Sequence, residues 1–116
     1  MIEDFGIGID IIDINRFRDT PYKEKITFYE KIFNKKEIEY CLQFNDPYPH
    51  FAGKFAVKEA VKKSINENES LLNIITNHIN KKPTVIISEK NEYKFLVSIS
   101  HEKNYAAGIV IAEKLN

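Results

Sequence analysis

The spacing of apolar residues changes period several times along the chain, and each change marks an element. Phe5 to Ile12 reads FGIGIDII. Ile7, Ile9 and Ile11 fall on one face of an extended strand, and Gly6, Gly8 and Asp10 fall on the other. Asp13 suits the N-cap of a short helix through Arg16 and Phe17. Asp19-Thr20-Pro21 ends that helix, because a residue before proline disfavours the helical region. Ile26, Tyr29, Ile32 and Phe33 then recur at helical spacing, and Asn34-Lys35-Lys36-Glu37 has the form of a capping box opening a helix to about Phe44. Asn45 to Pro49 reads as a turn, His50 to about Ile65 as the clearest helix, and Asn66 to Ser70 as a polar loop. Beyond it, Ile74 to Thr76, Thr84 to Ser88, Phe95 to Ser100 and Tyr105 to Glu113 are rich in β-branched residues, with short polar connectors that suit antiparallel hairpins. The expected fold is α+β: an N-terminal strand and helices packed on an antiparallel meander of three or four strands.

Composition narrows the setting. A chain of 116 residues with 43% hydrophobic content fits one domain over 1–116. Lys+Arg and Asp+Glu both number 17, so the chain lacks the overall basic field of a nucleic-acid binder. Cys41 is the single cysteine, which excludes an internal disulfide and suits a reducing compartment. No apolar run approaches the roughly 20 residues of a membrane span. Met1 to Asp13 carries four acids and no basic start, unlike a secretory signal. The expected location is the cytoplasm, with neither membrane nor nucleic acid as partner. Arg16 and Arg18 are the only arginines.

Three places could carry chemistry. Asp10 shares its strand face with Gly6 and Gly8, so a ligand or another backbone can approach closely; a solvent-facing carboxylate is the plainer reading. Glu59 falls, on a helical wheel, inside the apolar arc of Phe51, Ala52, Phe55, Ala56 and Ala60. Lys63, one turn on, either pairs with Glu59 or stands as a phosphate-binding lysine beside a metal ligand. Lys54, Lys58 and Lys62 follow at four-residue spacing, as a solvated helix side or as point charges for a polyphosphate. Ser98 and Ser100 share a strand face, and His101 sits where that strand enters its turn. His50 and His78 have no companion at metal-ligand spacing.

Three blocks, GIGIDIIDINRF (6–17), FAGKFAVKEAVKKS (51–64) and VSISHEKNYAAGIVI (97–111), occur in an order and spacing that resemble holo-acyl-carrier-protein synthase, the short bacterial class of 4′-phosphopantetheinyl transferases. FYEKIFNKKEIEYC (28–41) is similar to that family's second helical segment. The resemblance implies the family fold and Mg²⁺-dependent transfer of phosphopantetheine from coenzyme A to a serine of apo-acyl carrier protein, as in fatty-acid synthesis, with release of adenosine 3′,5′-bisphosphate. It implies Asp10 and Glu59 as Mg²⁺ ligands, and Lys63 as the cation that stabilises the pyrophosphate. Glu59, a water at the metal, or His101 would accept the serine proton. Coenzyme A would meet Lys54, Lys58, Lys63, Ser100 and His101, and the carrier protein would meet Arg16 and Arg18. It further implies a homotrimer with sites between subunits. Four positions depart from the family pattern. The loop after Ile65 lacks glycine and carries Glu67 and Glu69; Lys54 stands for a common arginine; a usual Gly-Lys-Pro turn reads Lys81-Lys82-Pro83; and Gly108 replaces a typical alanine, which would loosen packing. A non-catalytic protein binding coenzyme A or a carrier protein is the alternative. A Mg²⁺-dependent phosphohydrolase using Asp10 and Glu59 is a more distant one.

Overall fold

The computed structural model describes residues 1–115; Asn116, the last residue of the 1–116 span, lies outside the described residues. Strand β1 (Phe5–Asp13) leads into helix α1 (Asn15–Arg18), and then α2 (Ile26–Glu30), α3 (Lys35–Leu42) and the long α4 (Tyr48–Ile65) follow. Strands β2 (Ile74–Ile79), β3 (Lys82–Ile87), β4 (Tyr93–His101) and β5 (Tyr105–Lys114) complete the chain.

The capping box forms as the sequence predicts. Asn34 Oδ1 accepts from the Glu37 N–H, and Glu37 Oε1 accepts from the Asn34 N–H, both at 2.9 Å. Two helix starts differ from expectation. Ile14, not Asp13, occupies the N-cap of α1, although the Asp13 carboxylate still accepts from the Asn15 N–H at 2.9 Å. Helix α4 begins at Tyr48, because a proline in the first turn lacks only an N–H that has no helical partner there.

The expected meander is in fact two sheets. One runs β1-β5-β4, all antiparallel, with Asp10 opposite Gly108 and Ile99 opposite Gly108 on its other side. The other is the β2–β3 hairpin alone. A tight turn separates them: Lys90 N–H donates to Ile87 O, and Glu89 adopts φ 62, which takes the chain out of the β3 ladder.

Helix α4 packs diagonally on the three-stranded sheet. A Cβ added at Gly53 would lie 3.1 Å from the Ile99 side chain on β4; at Gly108 it would lie 2.8 Å from Val57 N under β5; at Gly8 it would lie 1.9 Å from Ala60 O under β1. The glycine face of β1 therefore receives the helix backbone. Gly108 likewise permits close approach instead of loosening the packing, because backbone atoms occupy the space an alanine methyl would need.

Two clusters share α4. Phe17, Tyr29, Phe33 and Phe51 form an aromatic core under α1 to α3, with the Tyr29 hydroxyl donating to Phe17 O and Thr20 O. Val57, Val61, Ile74, Val85, Ile87 and Val110 form an aliphatic core against the strands. The opposite face of the sheet is bare: Ile7, Ile9 and Ile11 are 60–68% exposed, and Leu96, Ile109 and Ile111 are exposed beside them.

Candidate active site

Charged residues on α4 reverse the helical-wheel reading. Lys54 and Lys58 are 3% and 0% exposed, whereas the Glu59 side chain keeps 26% of its surface. The helix is covered on several sides, so its apolar arc does not define the only buried face. What permits the inversion is Glu37, itself 2% exposed. Lys58 Nζ donates to Glu37 Oε1 (2.8 Å), Ile32 O (2.8 Å) and Leu71 O (2.9 Å), which uses all three of its donors. The Lys58 ammonium therefore faces inward and is not offered to coenzyme A. Glu37 Oε2 accepts from the Thr76 N–H and hydroxyl, and Lys54 Nζ donates to that same Thr76 oxygen at 3.0 Å. Burial pulls both lysines below the ordinary ammonium range, opposed by the Glu37 carboxylate. Removing one member of such a buried pair costs about 3–5 kcal/mol. Sequence reading finds Glu37 only as a cap; its second role depends on α4 and β2 reaching the same carboxylate. Nearby Cys41 is fully buried, and burial pushes its thiol up to about 12, which makes it a packing residue.

Asp10 and Glu59 lie where α4 crosses β1. Lys63 Nζ donates to Ile9 O at 2.9 Å and to Asp10 Oδ1 at 3.2 Å. Glu59 pairs with Lys62 at 3.8 Å instead of with Lys63. The Gly8–Ala60 contact sets this arrangement, since it brings α4 close enough for a lysine four residues after Glu59 to reach the strand. The two carboxylates keep 19% and 26% side-chain exposure, so each is open to a ligand. Among the described residues no group of three or more His, Cys, Asp or Glu could hold a metal. Two hard oxygen donors still fit Mg²⁺, which keeps several waters and draws other ligands from phosphate.

The loop after Ile65 borders this group. Asn66 adopts φ 54, ψ 42 at the helix C-terminus, the left-handed conformation a glycine would otherwise supply. Both acids of the loop are held by side chains: the Tyr93 hydroxyl donates to Glu67 at 3.1 Å, and Lys90 donates to Glu69 at 2.8 Å. An open depression of about 440 Å³ runs between Glu59, Lys62, Lys63 and Asn66 to Asn68.

The histidines gather elsewhere. A cleft of about 230 Å³ is lined by Tyr40, His50, Lys54, His78, Lys81 and His101 among others. His50 stacks on Phe44 at 3.6 Å and meets His101 edge-on at 5.8 Å, while His78 stacks on Tyr40 at 4.6 Å. Burial holds His50 and His78 below the usual imidazole range; His101 adds to this at His50 and Lys54 at both. The three histidines are distant in sequence, so spacing gives no hint of their meeting. Within one chain this cleft is separate from Asp10. Lys54 and Lys63 lie nine residues apart along α4, about 14 Å, and β5 stands between β4 and β1. His101 therefore does not join the carboxylates of its own chain. Ser100 parts from His101 too, because strand alternation puts Ser98, Ser100 and Leu96 on the bare sheet face. Of the arginines, Arg18 is engaged by Asp46 (2.8 Å) and Lys103 O (3.2 Å), whereas exposed Arg16 lies 5.5 Å over the Phe55 ring.

Residues 6–110 match the model of the 4′-phosphopantetheinyl transferase superfamily. A holo-[acyl-carrier-protein] synthase of Thermodesulfovibrio yellowstonii is 40% identical over 114 residues, which cover 96% of this chain and 98% of that protein. The crystal structure of a holo-(acyl-carrier-protein) synthase from Bacillus anthracis in complex with CoA (3′,5′-ADP) aligns with a TM-score of 0.82 at 31% identity, covering 95% of this chain and 96% of that one. That of Helicobacter pylori holo-[acyl-carrier-protein] synthase in complex with coenzyme A aligns with a TM-score of 0.82 at 30% identity, covering 92% and 99%. The α+β fold is the one those structures have. Among the described residues no helix is long and apolar enough to cross a membrane.

Proposed function

Since this chain belongs to the holo-[acyl-carrier-protein] synthases of the 4′-phosphopantetheinyl transferase superfamily, we propose that it transfers phosphopantetheine from coenzyme A to a serine of an apo-acyl carrier protein, in a Mg²⁺-dependent reaction that releases adenosine 3′,5′-bisphosphate. The observation that supports this most is the group at the α4–β1 crossing: two accessible carboxylates with an ammonium held between strand and helix.

In this reaction the serine oxygen forms a bond to the phosphorus that carries pantetheine. The bond from that phosphorus to the bridging oxygen breaks, and the bridging oxygen leaves with the nucleotide. Mg²⁺, held by Asp10 and Glu59, would supply charge neutralisation at the pyrophosphate. Lys63 sits beside Asp10 and adds a positive charge where the bridging oxygen becomes anionic. Glu59 is the proton acceptor we assign, because its carboxylate meets a lysine only at 3.8 Å whereas that of Asp10 is held by Lys63 at 3.2 Å. Exposed Arg16, on the helix that follows β1, would meet the acidic carrier protein; Arg18 would brace the loops around it through Asp46 and Lys103.

The chain works in this reading as a single transferase domain within a cytoplasmic homotrimer. The bare isoleucine face supports assembly, since a contiguous apolar surface of this kind is normally covered. Assembly would also unite the two halves of the site. The pyrophosphate would lie at Asp10, Glu59 and Lys63 of one subunit. The nucleotide end would lie in the cleft of Lys54 and His101 of the next, with Ser100 on the contacting face.

Intact-protein mass spectrometry of an apo-acyl carrier protein, incubated with this enzyme, coenzyme A and Mg²⁺, tests the proposal. The expected result is a gain of one phosphopantetheine mass, absent with EDTA and reduced by about 100-fold or more in rate by Asp10→Asn or Glu59→Gln. Unchanged turnover in either folded variant would overturn the metal assignment.

A further inference from the structure

The cleft between α4, β4 and the β2–β3 turn contains a residue that neither the fold nor local packing accounts for. The turn has two central residues, Asn80 and Lys81, flanked by the Ile79–Lys82 pair. Both are left-handed, with φ 51 and 66. Asparagine tolerates that region; lysine rarely enters it, and glycine is the usual occupant. The ammonium of Lys81 has no hydrogen bond or ion pair among the described residues, so no polar contact there offsets its backbone conformation.

The side chain instead lines a cleft with a one-sided charge. His50, Lys54, His78 and His101 line it as well, and among the described residues no carboxylate does. Asp46, the acid that acts on His50, is itself paired with Arg18. Lys54 is committed to Thr76 and lies 4.7 Å over the Tyr40 ring. Burial keeps His50 and His78 towards their neutral forms. Lys81 is thus the exposed cation of the cleft with no other duty. An ammonium on a flexible stem suits a compact anion of high charge density, such as a phosphomonoester.

We propose that Lys81 is a specificity-determining residue, which makes this chain prefer a nucleotide whose ribose carries a phosphomonoester over the same nucleotide without it. The inference rests on the cleft as the seat of the nucleotide end of coenzyme A, where the 3′-phosphate is the only monoester present. It goes further in assigning the discrimination to one residue of the β2–β3 turn.

The test is isothermal titration of the full chain with coenzyme A and with dephospho-coenzyme A. Three proteins are compared: wild type, Lys81→Gly and Lys81→Asn. Both replacements suit the left-handed turn, so both should fold, and glycine should raise the melting temperature. The expected result is a wild-type preference for coenzyme A that falls by about two- to fivefold in both variants, the size of one solvent-exposed charge contact. Most of the change should come from weaker coenzyme A binding, with dephospho-coenzyme A nearly unaffected. An unchanged ratio in the two folded variants would overturn the role of Lys81, as would a wild type that binds both nucleotides equally well. If the wild type binds neither, the coenzyme A reading fails first and this inference with it.

Discussion

The two ends of α4 meet the sheet in different ways, and each way suits a different task. At the β1 end, helix and strand touch backbone to backbone across Gly8, and opposite charges meet there: Asp10 and Glu59 with Lys62 and Lys63. At the β4 end Gly53 faces only a methyl of Ile99, and the neighbouring cleft carries histidines and lysines with no acid lining it. The first is built for geometry. In the proposed reaction, rigid contact between two elements would hold in place the groups assigned to one phosphorus. The second gathers lysines and imidazoles, and the helix meets the sheet there through side chains.

Alanine at the two glycines should separate these designs most sharply. Gly8→Ala places a methyl 1.9 Å from Ala60 O, which cannot move without shifting α4. The expected loss is about 3 kcal/mol or more, together with transfer activity, because Lys63 moves away from Asp10. Gly53→Ala meets a side-chain methyl at 3.1 Å and gains helix propensity; its net effect should stay within about 1 kcal/mol. Urea denaturation of both variants checks this, and equal losses would remove the distinction.

Mixing two damaged subunits comes next. Asp10→Asn breaks the carboxylate half and His101→Ala the cleft half. If neighbouring subunits share a site, co-assembled mixtures recover part of the wild-type transfer rate at low coenzyme A, because some sites receive both intact halves. Recovery should vanish when Ile9→Lys puts a charge on the bare sheet face. Mixtures no better than the sum of their components would place both halves in one chain.

The smallest effect concerns pH. His50 and His78 titrate below the ordinary 6.5 when folded, mainly through burial. The unfolded chain therefore binds these protons first. Their contribution is complete above about pH 6.5 and is lost as pH falls below it. A fall in melting temperature of a few degrees is expected between pH 7.5 and 5.5, and a His50→Gln/His78→Gln variant should lessen it. An identical pH dependence in that variant would show that other groups govern acid sensitivity.

Much of this was legible in the chain itself. The period-two run over β1 placed Asp10 on the glycine face, and the box at Asn34 and Glu37 placed the start of α3, because both signals are local. The long helix was readable too, and with it the register of Glu59 and Lys63, though not which way each would point. The wheel put Glu59 inside and left Lys54 and Lys58 on a solvated side; the fold does the reverse. A wheel measures one helix against an imagined single partner, whereas α4 is enclosed by α3, β2 and the sheet. Whether a lysine can be buried there depends on a carboxylate 21 residues earlier.

The sequence by itself determined the elements, the acids and lysine of the α4–β1 crossing, and the family in which that set belongs. Local hydrogen bonding and side-chain periodicity are written in neighbouring residues. The tertiary structure alone decided that Glu37 neutralises Lys58 and that His50, His78 and His101 meet in a cleft away from Asp10. Each of these depends on chain segments distant in sequence being brought into contact, and such contacts follow from how the elements pack, which no local pattern specifies.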